Sequence, residues 1–138
     1  VDRFKLPDGF EVAAETETDV ASDFDFDQAI EAHRQWKVLL RQAIAEGAKL
    51  DADVICRDDR CRLGKWLHGS GGHRWGAQPG FVALLQKHAE FHDVAGTVAR
   101  QINAGAMDNA ERMIGSGSRF AQVSNEVCTL LTRAKRGL

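Results

Sequence analysis

The chain has 138 residues, the length of a single domain with room for a real core. With 43% hydrophobic and 28% charged residues it has a soluble globular balance, and no apolar run reaches the roughly 20 residues that cross a bilayer. The net charge of −2 is polarised: residues 1–32 hold ten acids against Arg3 and Lys5 (net −8), and the other 106 hold 16 basic and 10 acidic side chains (net +6). Those basic residues are scattered over helical positions without a dense run, so they read as solvated helix faces and not as a nucleic-acid surface.

Residues 1–22 read as an acidic tail or linker, with Pro7-Asp8-Gly9 marking a turn and "EVAAETETDVASD" too polar to build a core. The helical domain is expected over 23–137. Ser22 and Asp23 are N-cap residue types, and from there Phe26, Ile30, His33, Trp36, Leu40 and Ile44 recur at helical spacing up to Gly47. This spacing predicts a helix over about 24–46. A short helical piece is expected near "LDADVI" within 48–57, and a second one over "RCRLGKWLHG", with Asp58 or Asp59 as its cap and Cys61 in its first turn. "GSGGHRWGAQPG", with five glycines and a proline in 12 residues, predicts a loop. A second long helix is predicted over about 80–104, ended by Gly105. A last one follows over about 107–134, with a bend at "GSGS" (115–118). With no strand alternation and no repeat, the fold class is all-α: a four-helix-type bundle with an extra short helix carrying the cysteine.

The three cysteines are Cys56, Cys61 and Cys128. An odd count, and no basic start leading into an apolar stretch, argue against a secreted disulfide framework and for a reducing, cytoplasmic setting. Val1 in place of Met reads as a trimmed or excised chain.

The chemistry lies in "HAEFH" (88–92). His88 and His92, four apart, sit one above the other on a helix face that otherwise asks for Leu or Ile, and His33 takes the same kind of slot on the first helix. A lone apolar-face histidine is an ordinary hydrogen-bonded core residue. Three of them, each costing roughly 1–3 kcal/mol to bury without partners, point to a shared metal. Cys61 is the best fourth ligand: a helix N-terminus and the flanking Arg60 and Arg62 favour its thiolate. Three imidazoles and one thiolate suit Zn2+ in tetrahedral geometry, and four protein ligands leave no open position for hydrolysis. A regulatory or structural metal without catalysis follows. A di-iron bundle would need bridging carboxylates that these stripes do not offer.

"AHRQW" (32–36), "CRLGKWL" (61–67) and "HAEFH" (88–92), taken together, resemble the chemoreceptor zinc-binding domain (CZB) family. The match falls on Cys61, Leu63, Gly64, Trp66 and Leu67, with His33, His88 and His92 in the right order, and covers about residues 23–135. The resemblance implies a zinc held by His33, Cys61, His88 and His92 in a helical homodimer. It also implies a sensory role in a cytoplasmic chemoreceptor or a diguanylate cyclase, where zinc occupancy, or oxidation of the bound cysteine by an oxidant such as hypochlorous acid, alters an attached signalling domain. "VDRFKL" (1–6) is similar to the end of a methyl-accepting receptor signalling domain, which favours the C-terminal end of such a receptor as the source. A purely structural zinc-stabilised dimerisation domain would use the same residues. No contact of this domain with membrane or nucleic acid is expected.

Among the other candidates, Gly64 reads as a close-approach position and Trp36 and Trp66 as packing around the site. His68 and His73 read as solvated, Cys56 as an inert thiol able to pair with Cys61 once metal leaves, and Cys128 as packing. Asp58, Asp59, Glu90 and Asp93 are equal candidates to accept the second N–H of a ligating histidine.

Overall fold

The computed structural model describes residues 24–137. The acidic tail, the VDRFKL run and the expected caps Ser22 and Asp23 lie outside these residues. The described residues form seven helices and no strand, a helical bundle as the periodicity predicts.

Helix α1 spans Phe26–Glu46. Its cap is Asp25, whose carboxylate accepts from the Gln28 N–H at 3.0 Å, and it stops at Gly47 in the left-handed region, φ 65°. That conformation suits a residue without Cβ. The face that turns inward carries Ala29, His33, Trp36, Leu39, Leu40 and Ala43. Helix α2, Ala52–Ile55, is one turn capped by Asp51. Helix α3, Arg62–Leu67, carries the cysteine motif. Helix α4, Ser70–Trp75, lies where the glycines and proline predicted only loop. Glycine weakens a helix but does not forbid one, and here it is needed: a Cβ on Gly71 would sit 2.6 Å from the Trp66 ring. Packing on α3 outweighs poor propensity.

Helix α5, Pro79–Asn103, is the longest. Pro79 occupies its first turn, where the missing N–H costs nothing. Gly105, φ 83°, lets the Ala106 N–H turn back to the Gln101 carbonyl at 2.9 Å. The stretch expected as one bent helix is two: α6, Met107–Met113, and α7, Arg119–Arg136, which starts at the Ser118 cap. Gly117 at φ 81° makes the break complete.

Helix α5 packs along α7, α1 lies against α7, and α6 touches both α5 and α1. The fully buried centre is built from Trp36, Leu40, Phe91, Phe120 and Leu131. Two contacts fix the short segments to α5. The Asn103 side chain pairs with both the N–H and the carbonyl of Leu50, at 2.8 Å each. Helix α2 lies on α5 where Gly96 has no side chain, and a Cβ there would be 2.5 Å from the Cys56 Cβ. Gly96→Ala should therefore cost about 1–3 kcal/mol by overpacking, seen in circular-dichroism melts as a fall of several degrees. Gly115→Ala, whose nearest neighbour would be 3.5 Å away, should stay within about 0.5 kcal/mol of wild type.

Candidate metal centre

Three elements bring the site together. The heptad-like spacing of α1 turns His33 inward, and one turn of α5 presents His88 and His92 on the same side. The third is the N-terminus of α3. Its N-cap is Cys61 itself, whose sulfur accepts from the Gly64 N–H at 3.3 Å. The expected caps are engaged elsewhere: Asp59 pairs with Arg57 at 3.0 Å, and Asp58 with His68 at 3.0 Å. The Asp58 main chain closes onto Gly64. A methyl on Gly64 would collide with the Asp58 carbonyl oxygen, which gives that glycine its close-approach role.

The four side chains are buried, His88 and His92 at 0% exposure. One ligand atom from each of His33, Cys61, His88 and His92 lies within 4.8 Å of the others. The Cys61 Sγ is 3.2 Å from His88 Nε2 and 3.6 Å from His92 Nε2, and the two Nε2 atoms are 3.1 Å apart. A tetrahedron with metal–N bonds of about 2.0 Å and a metal–S bond of about 2.3 Å has edges of roughly 3.3–3.5 Å. Trp36 and Phe91 pack their rings against the histidines, at 5.9 Å from His92 and 5.3 Å from His33.

Tautomers follow from the outer contacts. His33 Nδ1 is 2.9 Å from the Ala29 carbonyl, and His92 Nδ1 is 3.0 Å from the Ile55 carbonyl. A carbonyl only accepts, so both Nδ1 atoms carry the hydrogen and both Nε2 lone pairs face inward. His33 Nε2 and His88 Nδ1 have no hydrogen-bond partner among the described residues. A cation at the centre would engage the His33 Nε2 lone pair and recover the cost of burying it without a partner, while His88 faces the cluster through Nε2. The residues present fit a borderline-soft metal, and zinc best.

Residues 33–99 match the family model described as "Chemoreceptor zinc-binding domain". The chain carries a domain of the chemoreceptor zinc-binding family. No curated protein and no solved structure matches the chain. The matched stretch starts at His33, ends past His92 and holds every residue of the cluster.

Against this family frame the structure corrects two expectations from the sequence. The Cys61 thiol is not acidic before a metal binds. Burial pushes it up to about 12, and the N–H groups of Gly64 and Leu63 offset only part of that. Arg62 points to solvent and does not counter the desolvation. The outer partners that His33 and His92 hold through Nδ1 are main-chain carbonyls, not the carboxylates named from the sequence. Glu90 instead pairs with Lys87 and Arg119. No sequence signal marks a carbonyl acceptor, because every residue has one. His68 and His73 are exposed, as expected, and stand outside the cluster.

Desolvation lowers His33 to about 4 and His92 to about 3, and drives His88 well below 6.5. All three are neutral at pH 7 and ready to bind metal. In the unfolded chain they take up protons near pH 6.5, so between pH 6.5 and about 4 the unfolded state binds more protons and acid destabilises the metal-free fold. At the other end, an unfolded Cys61 ionises near 9 while the folded thiol holds its proton to about 12, so stability also falls above pH 9. Chemical denaturation of the chelator-treated chain should show a plateau between about pH 6.5 and 9. His33 alone should cost on the order of 3 kcal/mol by pH 4. A stability that rises on acidification would contradict the buried, neutral imidazoles.

Proposed function

We propose that this chain is a regulatory zinc-binding domain of a bacterial signalling protein and is not an enzyme. His33, His88 and His92 hold Zn2+ through Nε2, and Cys61 holds it through Sγ. The observation that carries the reading is the four-donor cluster, gathered from three separate segments inside a family match. Bound zinc stabilises the Cys61 thiolate, which burial otherwise keeps protonated, so uptake at neutral pH releases one proton per site.

The protein's own residues define what the metal ties together. Helix α1 is held through His33, the turn before α3 through Cys61, α5 through His88 and His92, and α2 through the Ile55 carbonyl behind His92. Changing the charge or the oxidation state of Cys61 releases one of these ties. Hypochlorous acid converts a thiolate and HOCl to sulfenic acid and chloride: sulfur loses two electrons, and chlorine gains them. A sulfenic acid is a poorer donor, so oxidation weakens the site. Zinc level and oxidant are thus two inputs to one switch, read by the signalling domain of a parent chemoreceptor in a cytoplasmic homodimer. No helix among the described residues is long and apolar enough to cross a membrane.

Elemental analysis of the purified chain should give one zinc per chain, and zinc should raise the melting temperature in proportion to the logarithm of its free concentration. Cys61→Ser should weaken zinc binding by more than the about 10–100-fold that loss of an outer hydrogen-bond partner costs. It should also abolish the release of zinc by stoichiometric hypochlorous acid. Equal zinc retention and an unchanged oxidant response in Cys61→Ser would remove Cys61 from the site.

A further inference from the structure

Helix α3 has six residues, well short of the length at which a helix holds itself in water. It is held at one end by the Cys61 cap and along its length by Trp66, which is 7% exposed. Trp66 is the meeting point of several elements. The Phe24 ring stacks on it at 4.7 Å and 18°, and the Phe26 ring meets it edge-on at 5.5 Å. Phe81, in the first turn of α5, packs at 5.8 Å, and Gly71 of α4 lies flat against the indole. The indole Nε1 has no hydrogen-bond partner among the described residues, so the ring contributes area and shape, not a donor. Phe24 and Phe26 flank Asp25, the cap of α1.

We propose that Trp66 is a positioning residue that couples the state of the Cys61 turn to Phe24 and the start of α1. This inference rests on the zinc reading above. Cys61 and Trp66 stand at the two ends of a single short helix, so the helix moves with its cap. While the metal holds Cys61, α3 is anchored and Trp66 is a fixed platform for Phe24 and Phe26. When Cys61 is released, α3 loses its anchor, the platform shifts, and the start of α1 loosens with it. The coupling is reciprocal: displacing Phe24 and Phe26 from Trp66 weakens the hold on the metal. It sends the signal to the N-terminal side of the domain by ring contacts alone.

The test is hydrogen exchange by mass spectrometry on the full 138-residue chain, zinc-loaded and after chelation, with zinc content measured in parallel. In the wild type, removing zinc should speed exchange of peptides covering 24–32 and 62–67 together, by roughly tenfold or more. In Trp66→Leu, zinc content should stay near one per chain, while 24–32 exchanges fast with or without zinc. Phe24→Ala removes the stack from the other side and decides the matter if Trp66→Leu does not fold. In that variant 24–32 should lose its zinc response while 62–67 keeps it. Zinc-independent protection of 24–32 in the wild type, or a zinc response that survives in Phe24→Ala, overturns the coupling and leaves the zinc reading standing. Failure to take up zinc at all overturns both.

Discussion

Three imidazoles and a thiol face one another in a space closed to water, and among themselves they have no complete set of hydrogen bonds. Two of the inward nitrogens, on His33 and His92, are fixed as lone pairs because their other ring nitrogens donate to carbonyls. The remaining groups can supply at most the Cys61 thiol hydrogen and one hydrogen from His88. Protonation would supply more, but burial opposes charge on each ring. A divalent cation would answer all four donors at once. The rest of the bundle is arranged to make that answer available: the long helices set the histidines at fixed depth, and the main chain sets their rotation.

The long and short helices are stabilised differently. Helices α1, α5 and α7 bury continuous apolar stripes and stand on packing. Helices α2, α3 and α4 are four to six residues long and depend on attachments: Asp51 and Gly96 for α2, Cys61 and Trp66 for α3, Trp66 and Phe81 for α4. The cysteine is thus placed on the least self-sufficient part of the domain. The histidines of α1 and α5 are held by packed apolar stripes, whereas the thiol sits at the start of a six-residue helix that it caps itself.

Much of this was legible in the sequence because it was written in side chains. The i, i+4 spacing of His88 and His92, the inward slot of His33 and the glycine stops at 47 and 105 are local signals, and each predicted its element. Cys61 was legible as a helix-start residue but not as the cap itself, since thiols seldom take that role. Its acidity was misjudged because the flanking arginines are visible in sequence and the depth of burial is not. Helix α4 was hidden by its glycines, whose purpose, room for the Trp66 ring, exists only in three dimensions. The split of α6 from α7 was foreshadowed by "GSGS", but the left-handed turn at Gly117 is what separates them.

The Ile55 carbonyl behind His92 has a further consequence. It comes from a one-turn helix that gives the centre no side chain, only a main-chain oxygen at 3.0 Å. No amino-acid substitution at position 55 deletes that oxygen. A residue-by-residue scan of 52–55 would therefore credit Ile55 with core packing alone. Its part in orienting a ligand is encoded in the path of the backbone, and it would drift only with changes that move α2, such as those at Gly96. In domains of this kind the list of residues that a mutational map marks as functional is shorter than the list of atoms that hold the metal's ligands in place.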